Sequence, residues 1–196
     1  MAHLMVVAVS PADLDRLDAL VQKQQTAETC WQAGAEQDAN LLALRGPELR
    51  AARVRLRAER DRLRETGRHR VSRLHALAPA LRTELEHRGL LREWDPIPEG
   101  AQRAGQTLGG IGPHSGTGLT ARLVVSLPEA LWTPLQRGVY WTNRPHVQAL
   151  ETWKDTWPTG TTPPPEAHTE RTRITTHITT TGHILRTALH HTLHGR

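Results

Sequence analysis

The chain is predicted to be mostly α-helical, and three observations carry that expectation. Apolar residues recur at helical spacing along most of its length. Those stretches open at Ser or Pro and close at Gly. One segment, 120–127, alternates apolar and polar residues as a half-buried strand does, and a Thr-rich stretch near 172–180 is open to strand as well as helix. With 37% hydrophobic residues in 196, the chain falls below the roughly 45–50% of ordinary domains. Extended helices around small packed units are expected rather than one large core.

The elements follow in order. Residues 11–32 read as a helix, with Ser10 as N-cap, Pro11 at the first helical position and Asp13 in the first turn. Leu14, Leu17, Leu20 and Val21 form its apolar stripe, and Gly34 ends it. Pro47-Glu48 starts a second helix that runs to Glu65 and stops at Gly67. Leu49, Ala52, Leu56 and Leu63 make a narrow heptad-like seam on it, the mark of a helical hairpin or coiled coil. Val71, Leu74, Leu77, Leu81 and Leu85 continue the pattern to Gly89, with Pro79 expected to kink or restart the helix. Residues 1–93 thus form a helical or coiled-coil region, and 94–118 read as a Gly/Pro linker that includes Leu108-Gly-Gly-Ile-Gly112. A small strand-plus-helices unit is expected over 119–158, with a second helix starting near Thr142. A Pro/Thr linker over 159–170 and a Thr/His-rich, basic helical tail over 171–196 complete the chain.

Composition excludes several functions. No run approaches the ~18 apolar residues of a membrane span. Leu4–Val9 is short, lacks a basic flank and leads into a helix start, so no signal peptide, no membrane partner and a cytoplasmic location are expected. Cys30 stands alone and builds neither a disulfide nor a thiolate zinc site. Phosphate-binding glycine loops with lysine, dinucleotide fingerprints, HExxH and GxSxG are all missing, and no cofactor or metal is expected. His190 and His194 stand i, i+4, but no Asp, Glu or Cys lies between 171 and 196 to complete a metal site. A non-enzymatic protein is the expectation.

Charge is segregated. Residues 1–40 carry six acidic against two basic side chains, while 45–73 carry eleven arginines against four acids. Arg50, Arg53, Arg57, Arg60 and Arg64 lie on the faces of the second helix away from its seam, and Arg53, Arg57, Arg60 and Arg64 are the candidate phosphate contacts. Either these arginines meet nucleic-acid phosphates, or they dock on the acidic first segment. The absence of Phe and the excess of Arg over Lys also fit a GC-rich coding bias. With no Phe, Trp132, Trp141, Trp153 and Trp157 are read as bulky core fillers before they are read as base-stacking platforms.

Arg122-Leu-Val-Val-Ser-Leu-Pro-Glu-Ala-Leu131, followed by Asn143-Arg-Pro-His-Val-Gln-Ala-Leu150, resembles the ribbon–helix–helix DNA-binding superfamily over about 40 residues. Pro134 departs from it, falling inside the expected first helix. The resemblance implies a ribbon of two strands, one from each of two subunits, lying in the major groove. It further implies that Thr120, Arg122 and Ser126 face bases and that Thr142 and Asn143 hold a phosphate at a helix amino end. The functional expectation is a DNA-binding homo-oligomer. The alternative is an oligomerising coiled-coil scaffold without nucleic acid.

Overall fold

The structure is a computed structural model that describes residues 2–101 and 118–195. It is mostly helical, with one two-stranded antiparallel sheet among the described residues. The elements are β1 (Ala2–Val9), α1 (Pro11–Asp38), α2 (Gly46–Glu65), α3 (Arg73–His87), β2 (Ala121–Pro128), α4 (Glu129–Thr156), α5 (Pro165–Thr176) and α6 (Thr181–His194).

The order is strand and three helices, then strand and three helices again. α1 and α4 begin and end 118 positions apart, at Pro11–Asp38 and Glu129–Thr156. The same step carries Met5, Val7 and Val9 onto Leu123, Val125 and Leu127, and Leu17 and Val21 onto Leu135 and Val139. All ten of these side chains are buried. Contacts repeat as well: α1 packs on α6 and α3 on α4, β1 on α6 and β2 on α3, while α3 and α6 meet each other. The chain is an internal pseudo-dimer whose halves are joined by the antiparallel β1–β2 ribbon, with Val6 opposite Val124.

Local chemistry explains the boundaries. Ser10 Oγ accepts from Asp13 N at 3.1 Å and Ser72 Oγ from His75 N at 3.2 Å, each capping a helix. Gly67 and Gly89 adopt φ of 72° and 65° just past α2 and α3, a conformation that costs glycine little. One principal core collects Leu17, Leu77, Leu81, Leu85, Leu123 and Leu135 with Ile184 and Leu185. A second, smaller core sits between α4 and α5, around Leu150, Ile174 and Ile178.

Several expectations change. Residues 1–93 and 119–158 are not separate units, because the principal core draws from both. The expected tail is no appendage: Ile184, Leu185, Ala188 and Leu189 of α6 are buried in that core. The 159–170 linker already contains the start of α5 at Pro165. Of the expected 94–118 linker, 102–117 lie outside the described residues, together with the Leu108–Gly112 run. Its first part is pinned, since Trp94 packs on the core and Arg137 donates to the Trp94 carbonyl at 3.1 Å. The tryptophans fill edges rather than the centre, where leucine does the work. Trp141 Nε1 donates to the Asp95 carbonyl at 2.8 Å, and Trp153 Nε1 to that of Ala167 at 2.8 Å.

The helix break expected near Thr142 is not there. α4 runs unbroken through Pro134 and Pro145. Each proline removes a backbone donor and costs about 3 kcal/mol. Burial of Leu131, Leu135, Val139 and Leu150 along one face holds the helix together regardless.

Candidate nucleic-acid interface

α2 carries most of the basic charge, and α1 decides which of its arginines are free. Glu28 of α1 is 7% exposed and meets α2 across the hairpin. Arg64 donates to it through Nε at 2.9 Å and brings Nη2 within ion-pair distance at 2.7 Å. Arg60 leans toward the same carboxylate at 3.9 Å and toward Asp61 at 3.6 Å, beyond hydrogen-bond distance, and its Nε is buried without a hydrogen-bond partner. Arg62 grips Glu59 through two bonds of 2.8 and 2.6 Å, which raises the guanidinium pKa and lowers that of the carboxyl. Arg73, at the start of α3, makes a bidentate pair with Asp18 at 2.7 Å, and that hydrogen bonding raises its pKa.

The carboxyl-terminal half of α2 is therefore largely neutralised inside the molecule. The amino-terminal half is not. Arg50, Arg53, Arg55 and Arg57 are exposed and have no carboxylate within salt-bridge distance among the described residues. Arg50, Arg53 and Arg57 lie on one face over about 10 Å of helix. The four arginines singled out from sequence thus divide: Arg53 and Arg57 face solvent, while Arg60 and Arg64 turn toward Glu28.

The ribbon is the second candidate surface. Its strands come from one chain, so the two-subunit ribbon that the family resemblance implied is replaced by pairing of β2 with β1. Arg122 and Ser126 lie on the outer face as expected, and Thr120 is exposed just before the strand. Their neighbours are apolar. Arg122 stands opposite Ala8, Val124 opposite Val6 and Ser126 opposite Leu4. Leu4, Val6 and Val124 are 70%, 54% and 40% exposed. A face with one guanidinium and one hydroxyl among aliphatic groups offers little for hydrogen-bonded base readout.

Thr142 and Asn143 do not form a phosphate site. They lie in mid-helix, where backbone N–H groups are already bonded along α4. Thr142 is exposed. Asn143 is fully buried: its Nδ2 donates to the Thr179 carbonyl at 2.6 Å and its Oδ1 accepts from Thr179 N at 3.0 Å. It clips α4 to the loop before α6.

The histidines near the carboxyl terminus meet with tilted rings and without a completing ligand. His190 and His194 rings are 4.6 Å apart, and no group of three His, Cys, Asp or Glu among the described residues is arranged to hold a metal. No described helix is long and apolar enough to cross a membrane. Neither family models, curated proteins nor solved structures give a match to this chain.

Proposed function

We propose that the protein binds duplex DNA without catalysing a reaction, gripping the phosphate backbone through the amino-terminal half of α2. One observation supports this reading: Arg50, Arg53, Arg55 and Arg57 project unpaired from a helix whose Arg62 and Arg64 are engaged by carboxylates. Over the roughly 10 Å that three of them span, B-DNA presents about six phosphate charges. Recognition is by charge, and the apolar ribbon face favours no sequence. The test is an electrophoretic shift assay over a salt series. Affinity should fall steeply with salt, and the Arg53→Gln/Arg57→Gln pair should flatten the log–log slope by about 2. Undetectable binding at low salt would end the proposal.

A second reading has its own observation. Leu4, Val6 and Val124 expose a contiguous aliphatic surface on the ribbon, which favours self-association through that face rather than through the α2 seam. Of the α2 seam, Leu63 is buried. Under this reading the protein is an oligomeric scaffold, and Val6→Lys should reduce its mass in solution to that of one chain.

A further inference from the structure

The two halves of the pseudo-dimer differ in the space between their first and second helices. In the second half α4 and α5 close over Leu150, Trp153 and Ile174. The Arg171 guanidinium lies 5.4 Å from the Trp153 ring centroid. Stepping back 118 positions, Leu150, Trp153, Ile174 and Arg171 become Gln32, Ala35, Leu56 and Arg53. All four of these line a cavity of about 420 Å³ between α1 and α2. Where one half holds an indole beneath an arginine, the other has a methyl group and a void.

The walls of that void have a definite chemistry. Trp31 closes one side, held edge-on against His69 with ring centroids 5.6 Å apart. Leu41, Leu42 and Leu56 supply apolar surface, and Leu42 is 91% exposed at the rim. Arg53, Arg57 and Arg60 supply positive charge. Glu36, the one carboxylate in the lining, accepts a 2.9 Å hydrogen bond from Gln32. Glu28 and Asp61 lie near Arg60 without hydrogen-bonding its buried Nε.

We propose that this cavity binds a planar aromatic anion about the size of an indole. The ring takes the place of the missing Trp153 counterpart, beneath Arg53 and beside Trp31. The anionic group meets Arg57 and Arg60 in charge-assisted hydrogen bonds. The volume lies within the roughly 300–1,000 Å³ of small-molecule sites. The site requires no nucleic acid, so its test is independent of DNA binding.

The experiment is calorimetric titration of the full chain with indole-3-acetate, using indole-3-ethanol as the uncharged match. Saturable binding at one site is expected, with indole-3-ethanol at least about tenfold weaker, since a charged hydrogen bond is lost. Ala35→Trp rebuilds the filled arrangement of the other half, so it should abolish binding while leaving the thermal midpoint equal or higher. Arg57→Gln, at an exposed position, should weaken binding about tenfold. The proposal is overturned by no saturable binding to the wild-type chain or by equal affinity for the neutral match. Full binding by folded Ala35→Trp, or by Arg57→Gln should the tryptophan variant not fold, overturns it too.

Discussion

Asn143 and Thr179 pair as two residues of adjacent strands would, although one partner is a side chain. The amide of Asn143 satisfies both the N–H and the carbonyl of Thr179 from a fully buried position in α4. Asn143→Ala leaves both backbone groups without a protein partner, and orphaned groups cost about 1–3 kcal/mol each. Urea unfolding should show a loss of about 3 kcal/mol. Unchanged stability would mean that water replaces the clip at no cost.

Glu28 restrains Arg64 and draws in Arg60, so its charge sets how much of α2 faces outward. Glu28→Gln is expected to release both guanidinium groups. Affinity for duplex DNA should rise, and the salt dependence should steepen by about 1 to 2 in log–log slope. A shift assay on the folded variant that shows no change would remove the hairpin from the DNA-binding account.

Gly138 lies where α4 meets the segment after α3. A Cβ placed there would sit 2.9 Å from Leu90 Cδ2 and 3.1 Å from Trp94 Nε1. Gly138→Val overfills this contact and should destabilise by about 1–3 kcal/mol, read as a lowered thermal midpoint. Gly34 has open space around it. Gly34→Ala should instead raise stability by up to about 1 kcal/mol through helix propensity.

Glu129 opens α4 on the surface, accepting from Thr133 Oγ1 and pairing with His3, whose ring stacks on Trp132 at 5.0 Å. The Thr133 hydrogen bond, and then that of His3, holds the carboxyl pKa below the ordinary glutamate value. A depressed carboxyl pKa stabilises the fold above the unfolded-state value, and that contribution fades as pH falls through the folded-state value. NMR titration should place Glu129 below a free glutamate. Thr133→Val should move it up further than His3→Ala does. A titration insensitive to both variants would remove these contacts as the cause.

Most helix starts and stops are legible, although α1 runs on through Gly34, its expected end, to Asp38. Ser10-Pro11, Pro47, Gly67 and Gly89 act locally, and local signals survive in a sequence read alone. The strand at Ala2–Val9 was hidden because Leu4 and Val6 are apolar on its outer face, so the period of two disappears into a continuous run. The internal repeat is hidden because its identities are sparse and its step changes: Val6-Val7 and Pro47-Glu48 recur 118 positions on as Val124-Val125 and Pro165-Glu166, whereas Leu77, Ala80 and Leu81 recur 108 positions on as Leu185, Ala188 and Leu189. The two prolines of α4 misled in the opposite sense, since a local penalty was outweighed by buried leucines distant in sequence. At the candidate interface, residue type and spacing found Arg53 and Arg57. That Arg64 is engaged depends on where α1 delivers Glu28, a tertiary fact.

The β1–β2 ribbon also sets a schedule for biosynthesis. Val9 pairs with Ala121 and Ala2 with Pro128, so the first strand is made more than a hundred residues before its partner. At about 5–20 residues per second the ribosome needs roughly 6 to 22 s to cover that gap. During it, the aliphatic groups of β1 and the α6-facing side of α3 are without their native cover. Unpaired strand edges of this kind are where domain swapping between copies begins. A chain that carries both halves of its own pseudo-dimer keeps the correct partner tethered, and the length of the tether measures how long a wrong one can compete.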